Sequence, residues 1–251
     1  MIDIHAHILP GVDDGASSTK TALQMARMAA DSGVTDLIAT PHCNQMYRYE
    51  NFACEELTAR FAALEQAVQD AQIPVRLHRG MEVYGTTDTA ELLHRGKLTT
   101  LCESRYLLIE FDFSEERRFM DRVLRAVSAE GVTPIVAHPE RYRALQSDPA
   151  ILYEWVLSGI HLQLNKGSLS GFFGRSAFQL AMRILRHDLA SFVASDAHGT
   201  ERRTTVLTGA CDWVREQFSD RRAERLFSEN PARVLADKPL LLCDPTAFSG
   251  R

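Results

Sequence analysis

What the chain lacks narrows the field first. No stretch approaches the ~18 consecutive apolar residues of a membrane-spanning helix, so membrane insertion is not expected. The opening Met1-Ile2-Asp3-Ile4-His5 has neither the basic nor the apolar region of a secretory signal. Five cysteines (Cys43, Cys54, Cys102, Cys211, Cys243) form an odd, scattered set without a CxxC pair. That argues against a disulfide framework or a thiolate zinc site, and a cytoplasmic protein with reduced thiols is the expectation. Basic residues are not in excess: 28 Lys and Arg stand against 33 Asp and Glu, a formal net charge of −5. A nucleic-acid surface needs the opposite balance, and Arg117-Arg118, Arg202-Arg203 and Arg221-Arg222 read as solvated faces. Gly11 and Gly15 flank Val-Asp-Asp, which fits neither GxGxxG nor the Walker loop. Nothing in the composition fixes an oligomeric state.

What is present is an alternation. Strand-like runs cover Met1–Ile4, Val34–Thr40, Val75–Val83, Tyr106–Phe111, Thr133–His138, His161–Asn165 and Ser191–Ser195. Helical patterns fill the intervals at roughly Thr19–Ser32, Phe52–Ala71, Glu116–Glu130, Pro149–Leu157, Ser176–Arg186 and Thr204–Phe218. Ala22, Met25, Ala26 and Ala29 recur at helical spacing, and Gly33 and Gly131 stand where a helix would be capped before the next strand. Seven strands alternating with helices imply a parallel sheet, and at 251 residues closure into a (β/α) barrel is the expected solution. No repeat or linker divides the chain. One domain over residues 1–251 is expected, with a helical tail from about 220 to 251. Pro231 in Asn230-Pro231-Ala232-Arg233 suits the first turn of a short helix there.

The strand ends carry the chemistry. They read His5-Ala6-His7, Thr40-Pro41-His42, Gly80-Met81-Glu82, Glu110, His138-Pro139 and Ser195-Asp196-Ala197-His198, and Asp14 follows in the loop after the first. A parallel barrel gathers the C-terminal ends of its strands on one face, where active sites lie. His5, His7, Asp14, His42, Glu82, Glu110, His138, Asp196 and His198 would then meet in one cup. A lone histidine after a strand is more often structural, and an HxH pair only shares a strand face. The joint set is different, because so many ionisable groups are costly to bury without opposite charge. Metal cations supply that charge. A mixed imidazole–carboxylate set without thiolate suits manganese, iron or zinc. Two or three such ions form a hydrolytic centre, and phosphate esters are its usual target.

These residues carry a resemblance. His5-Ala-His7-Ile-Leu-Pro-Gly-Val-Asp-Asp14-Gly, Thr-Pro-His42, Gly80-Met-Glu82, His138-Pro-Glu-Arg141-Tyr142, Asn165-Lys-Gly-Ser168 and Ser195-Asp196-Ala-His198 resemble the polymerase and histidinol phosphatase (PHP) superfamily. They resemble most its bacterial phosphotyrosine-protein phosphatases of capsule and exopolysaccharide loci. The resemblance implies a distorted seven-stranded TIM-like barrel with up to three ions, manganese foremost. It implies one ion on His5, His7, Glu82 and Asp196, and a second on Glu82, Glu110 and His138. A third would sit on Asp14, His42 and His198. It implies that Arg141 and an arginine after the last motif, Arg202 or Arg203 with Arg203 preferred, contact the phosphate. A guanidinium fork suits phosphoryl oxygens; an ion pair with Glu140 or another neighbour is the plainer alternative for Arg141. His42 or His198 could assist the leaving group. The implied partner is the phosphotyrosine tail of a bacterial tyrosine kinase of polysaccharide export. A small-molecule phosphoesterase such as a histidinol phosphatase is the alternative. A nuclease is disfavoured by the acidic balance, and a non-catalytic module by the complete ligand set.

Cys54-Glu-Glu-Leu-Thr-Ala-Arg60 satisfies the CxxxxxR spacing of cysteine-dependent tyrosine phosphatases. That chemistry needs a loop of backbone N–H groups and an acidified thiol. A glycine-free, acidic, helical segment offers neither.

Overall fold

The computed structural model describes residues 1–241 and 244–248. Its strands are β1 (Ile2–Ala6), β2 (Asp36–Ala39), β3 (His42–Cys43), β4 (Arg76–Arg79), β5 (Glu82–Tyr84), β6 (Tyr106–Glu110), β7 (Thr133–Ala137), β8 (His161–Asn165) and β9 (Phe192–Ala194). They pair in the orders β1-β2-β4 and β3-β5-β6-β7-β8-β9, parallel throughout. β3 continues the line of β2 after Thr40-Pro41, and β5 continues β4 after Gly80-Met81. The expected single strand Val75–Val83 is therefore broken. Gly80 stands at the break, where nothing larger fits: a Cβ there would lie 2.7 Å from Leu101 Cδ2 and 2.9 Å from Ile38 Cγ2. Backbone bonds still cross the break, from Gly80 N–H to Ala39 O (3.0 Å) and Glu82 N–H to Pro41 O (3.1 Å). At the other seam Asp196 N–H donates to His5 O and His7 N–H to Ala197 O, both at 2.9 Å, around the parallel bridge Ala6–Ala197. Seven parallel strand lines thus follow one another around a distorted barrel.

Helices cover the outside. Thr19–Asp31 begins where Ser18 Oγ accepts the Thr21 N–H at 3.2 Å. It buries Ala22, Met25, Ala26 and Ala29, the stripe legible in the sequence. Gly33 follows at φ +81°, a conformation glycine adopts without strain. Arg117–Ala129 repeats the design with Met120, Val123, Leu124 and Val127 inward. Each such large apolar side chain, fully buried, contributes about 1.5–3 kcal/mol. Inside, Ile4, Ile38, Tyr106, Leu108, Ile135, Phe192 and Ala194 form an apolar cluster that Val234 and Leu240 join. The C-terminal segment is tied to the start of β6 through Arg105–Asp237 and Tyr106 Oη–Lys238 O (2.8 Å).

Two expected helix boundaries move. The helix expected from Thr204 starts at Thr208. Lys166 Nζ donates to the carbonyl oxygens of Thr204 and Val206, which holds that stretch as a loop. The tail is helical only over Asp220–Leu235, with a π turn at Arg225–Glu229. Past Ala236 the described residues form no helix; Asp237 sits at φ +48°. Cys243 and positions 249–251, part of the expected helical tail, lie outside the described residues.

Candidate metal and phosphate site

All nine sequence-nominated ligands come together at the C-terminal ends of the strands. His5 Nε2 lies 3.2 Å from Glu82 Oε1, and His7 Nε2 lies 3.2 Å from Glu82 Oε2. Asp196 Oδ1 is 3.5 Å from His5 Nε2 and 3.6 Å from His7 Nε2. His138 Nε2 is 2.9 Å from Glu82 Oε1 and 3.9 Å from Glu110 Oε2. His42 Nδ1 approaches Glu82 Oε2 (3.0 Å) and Glu110 Oε1 (2.8 Å). Asp14 Oδ1 lies between His42 Nε2 (3.4 Å) and His198 Nε2 (3.5 Å). His5, His7, Glu82 and Asp196 are buried, whereas the Asp14 side chain is 46% exposed and marks the rim.

Two neighbours decide how the first two imidazoles present themselves. His5 Nδ1 is 2.9 Å from the amide oxygen of Gln163, and His7 Nδ1 is 2.8 Å from Asp13 Oδ2. Both partners are acceptors, so each Nδ1 carries the hydrogen and each neutral Nε2 presents a lone pair. Those two Nε2 atoms are 3.2 Å apart. Facing lone pairs at that distance need a proton or a cation between them. Glu82 Oε2 makes the same point: it is buried, within ion-pair distance of His7 and His42, yet aligned for a hydrogen bond with neither. The donor set therefore fits divalent cations. Three groups offer one ligand atom per residue within 4.8 Å of one another: His7, Asp14, His42 and His198; His5, His7 and Asp196; and His42, Glu82 and Glu110. None of the three coincides with the partition that the resemblance implies: His7 joins Asp14, His42 and His198, Glu82 is missing beside His5, His7 and Asp196, and His42 stands with Glu82 and Glu110 where His138 was expected.

Protons balance these charges in the protein alone. Burial opposes a charged His7, but Asp13 and Asp196 hold its pKa well above the ordinary imidazole value. His42 is likewise raised, against burial, by Glu82, Asp14 and Glu110. Burial penalises the Asp196 carboxylate, but His5, His7 and Arg203 draw its pKa well below the usual range.

The backbone bends to make this arrangement. His138 (φ 37°) and Asp196 (φ 50°) are both left-handed, an uncommon conformation for side-chain-bearing residues that concentrates at functional sites. The β1–β2 register shifts between Asp3 and Ala6, where β1 delivers His5 and His7. Gly15 is forced by proximity, because a Cβ there would sit 2.1 Å from His7 O.

The arginines flank the cluster. Arg141 is not paired with Glu140: its Nη1 lies 3.5 Å from Asp196 Oδ2, and its Cζ lies 4.3 Å and 4.1 Å from the rings of Phe113 and Phe173. Glu140 is buried instead and accepts from the Asn165 N–H (2.9 Å) and Ser168 Oγ (2.7 Å). Arg203 Nη2 reaches Asp196 Oδ2 at 2.5 Å, whereas Arg202 lies over Phe172.

Sequence reasoning passed over Asp13, Gln163 and Gln45. Asp13 also accepts the His42 N–H at 3.0 Å. Gln163 donates to Asn165 Oδ1 (2.9 Å), and Asn165 Nδ2 donates to Asp196 Oδ2 (2.5 Å), so a buried chain runs from Asp196 to His5. The signal was there: in His161-Leu-Gln163-Leu-Asn165 the polar residues alternate, which places them on one strand face. Gln45, whose Nε2 lies 2.5 Å from Glu110 Oε1, comes from a loop with no such pattern. Cys54 is the N-cap of helix Glu55–Asp70, its Sγ 3.5 Å from the Leu57 N–H, so the CxxxxxR spacing is a helix start.

Known proteins share this arrangement of elements. Residues 1–236 match the model of the family described as capsular polysaccharide synthesis, CpsB/CapC. The tyrosine-protein phosphatase YwqE of Bacillus subtilis is 33% identical over 99% of this chain and 94% of its own. The tyrosine-protein phosphatase CpsB of Streptococcus pneumoniae is 30% identical over 95% of this chain and 99% of its own. A solved chain from the work on YwqE and CpsB, metal-dependent tyrosine phosphatases of those two organisms, superposes with a TM-score of 0.91 at 31% identity, covering 100% of both chains. A lactonase of Listeria monocytogenes superposes at a TM-score of 0.58 with 11% identity over 94% of each chain, a likeness of fold alone.

Proposed function

Because the chain belongs to the capsular polysaccharide synthesis CpsB/CapC family, we propose that it is a metal-dependent phosphoric monoester hydrolase acting on phosphotyrosine in proteins. One observation carries the reading: Arg141 and Arg203 both close on Asp196 at the edge of the histidine–carboxylate cluster. Two fixed guanidinium forks beside a cation site suit a phosphoryl group, whose charge is spread over three oxygens.

His5, His7, Asp14, His42, Glu82, Glu110, His138, Asp196 and His198 would hold two or three divalent ions, manganese foremost, with iron or zinc as alternatives. Bound there, the ions supply charge neutralisation and an acidified water. The protein's own groups do the rest. Asp13 and Gln163 keep His7 and His5 in the tautomers that turn Nε2 inward. Arg141, held between two phenyl rings, and Arg203, held by Asp196, receive the phosphoryl oxygens and neutralise charge that grows on them. The leaving phenolate has a conjugate acid of pKa about 10, so it needs less help than an alkoxide. His42 and His198, each 10% exposed at the mouth, stand where a proton could be handed to it. No cysteine takes part, and no covalent intermediate is expected.

The proposed substrate is the phosphotyrosine tail of a bacterial tyrosine kinase that controls polysaccharide export, and the proposed compartment is the cytoplasm. The described cysteines are all unpaired, which supports a reducing setting. No helix among the described residues is long and apolar enough to cross a membrane. The deciding experiment measures phosphate release in parallel from a phosphotyrosine peptide, a phosphoserine peptide and histidinol phosphate. Manganese, zinc or magnesium is restored after chelation. Preference for phosphotyrosine supports the reading. Preference for histidinol phosphate converts it to a small-molecule phosphatase, and no release with any metal overturns it.

A further inference from the structure

Two cavities open beside the cluster, and their walls differ in charge. One, of about 450 Å³, is bounded by Glu110 and Asp112 together with Gln45, Arg48, Tyr84 and Phe113. The other, of about 400 Å³, is walled by Leu169, Phe172, Phe173 and Trp213, with Ser195 and Arg203 also lining it. Phe173 joins this second cavity to the arginine pair: its ring is 4.1 Å from Arg141 Cζ and 5.8 Å from Arg203 Cζ. An ester phosphate held by both guanidinium groups would lie close to the Phe173 ring.

We propose that the cavity walled by Phe172, Phe173 and Trp213 receives the phenyl ring of the substrate's phosphotyrosine and selects aryl over alkyl phosphate esters. This rests on the phosphotyrosine reading above. Three aromatic side chains offer the stacked and edge-on contacts that a phenyl ring favours. The volume lies within the ~300–1,000 Å³ of pockets that enclose small ligands. Charge separates the two cavities. The carboxylates of Glu110 and Asp112 in the first would repel a phenolate as its charge grows. No carboxylate lines the second, and the guanidinium groups of Arg202 and Arg203 border it. Phe172 is 46% exposed although it is large and apolar, and an aryl ring in the cavity would cover it.

The test compares p-nitrophenyl phosphate with acetyl phosphate, an activated acyl phosphate without a ring, on the manganese-loaded full chain. Phe172→Ser changes an exposed position and Trp213→Leu keeps an apolar wall, so both variants should fold; Tyr84→Leu probes the other cavity. Loss of one or two aromatic contacts should lower kcat/KM for the aryl ester about tenfold, with acetyl phosphate unchanged. Binding of phenylphosphonate against methylphosphonate, followed by calorimetry, should show the same loss of ring preference, and it reads the cavity even in the absence of turnover. Equal losses on both substrates, or a ring preference that moves with Tyr84→Leu alone, would overturn the assignment. So would a loss confined to phosphotyrosine peptides, which would make the cavity a site for a flanking residue. Absence of all hydrolysis with a ring preference still present in binding would overturn the phosphatase reading and leave the ring pocket standing.

Discussion

Asp13 Oδ2 lies 2.8 Å from His7 Nδ1 and also 3.0 Å from the backbone nitrogen of His42. One carboxylate thus orients a candidate ligand from the end of β1 and fixes the start of β3. Residues that orient a metal-bound imidazole typically contribute about 10–100-fold to metal affinity. Asp13→Ala should weaken manganese binding by about that factor, while Asp13→Asn, which keeps an acceptor oxygen, should lose less. Competition with a metal-chelating dye measures both. Equal affinity in wild type and Asp13→Ala would remove Asp13 from the site's support.

Metal and protons should compete. His5, His7 and His42 all have pKa values raised by the carboxylates around them. The ion-free protein therefore holds protons there that a cation must displace. Apparent metal affinity should rise with pH. Calorimetry in two buffers of different ionisation enthalpy should detect proton release on binding, and release of none would contradict the proposed ligand set.

His161 predicts a separate pH dependence, of stability. Burial lowers its pKa from 6.5 to about 4. Below 6.5 the unfolded chain takes up a proton that the folded chain refuses, so stability falls as pH drops from 6.5 to about 4. The loss is of order 1–3 kcal/mol. His161→Asn keeps an acceptor for Ser191, 3.1 Å away in the wild type, but cannot titrate. In urea unfolding with chelator present, the wild-type-minus-variant stability should decline across that window. A constant difference would mean that His161 is solvated.

Cys54→Ser should leave phosphatase activity within about twofold, since a serine also caps a helix well. Thiol alkylation should be equally harmless. A loss of 100-fold or more would reopen the cysteine-dependent chemistry that the helix-capping geometry excludes.

Much of the candidate site was legible because its residues are read from strand ends. His5, His7, His42, Glu82, Glu110, His138 and Asp196 each stand in or just past a β-rich run, and parallel strands deliver their C-terminal ends to one face. The residues that orient those ligands were harder to see. Asp13 beside Asp14 looks like a second rim carboxylate, and only the loop's path shows it turned inward to His7. The strand break at Gly80 was also hidden, because it depends on Leu101 and Ile38 packing against that point from elsewhere in the chain.

The choice between Arg202 and Arg203 shows where sequence stops. Adjacent residues point in different directions, and their order in the sequence does not say that Arg203 rather than Arg202 reaches Asp196. Likewise, His42 rather than His138 lies next to Glu110 Oε1, a matter of how neighbouring strands are staggered. Residue order alone was enough for the alternation of strands and helices, the apolar faces that bury them, and the donor chemistry at the strand ends. These are local: spacing sets which face a residue shares, and residue type sets what it can bind. The folded arrangement was needed to see which lone pairs face one another, which carboxylate holds which imidazole, and which aromatic walls flank the arginines. Those relations join residues far apart in sequence, and their energies depend on ångström-scale distances that spacing along the chain does not encode.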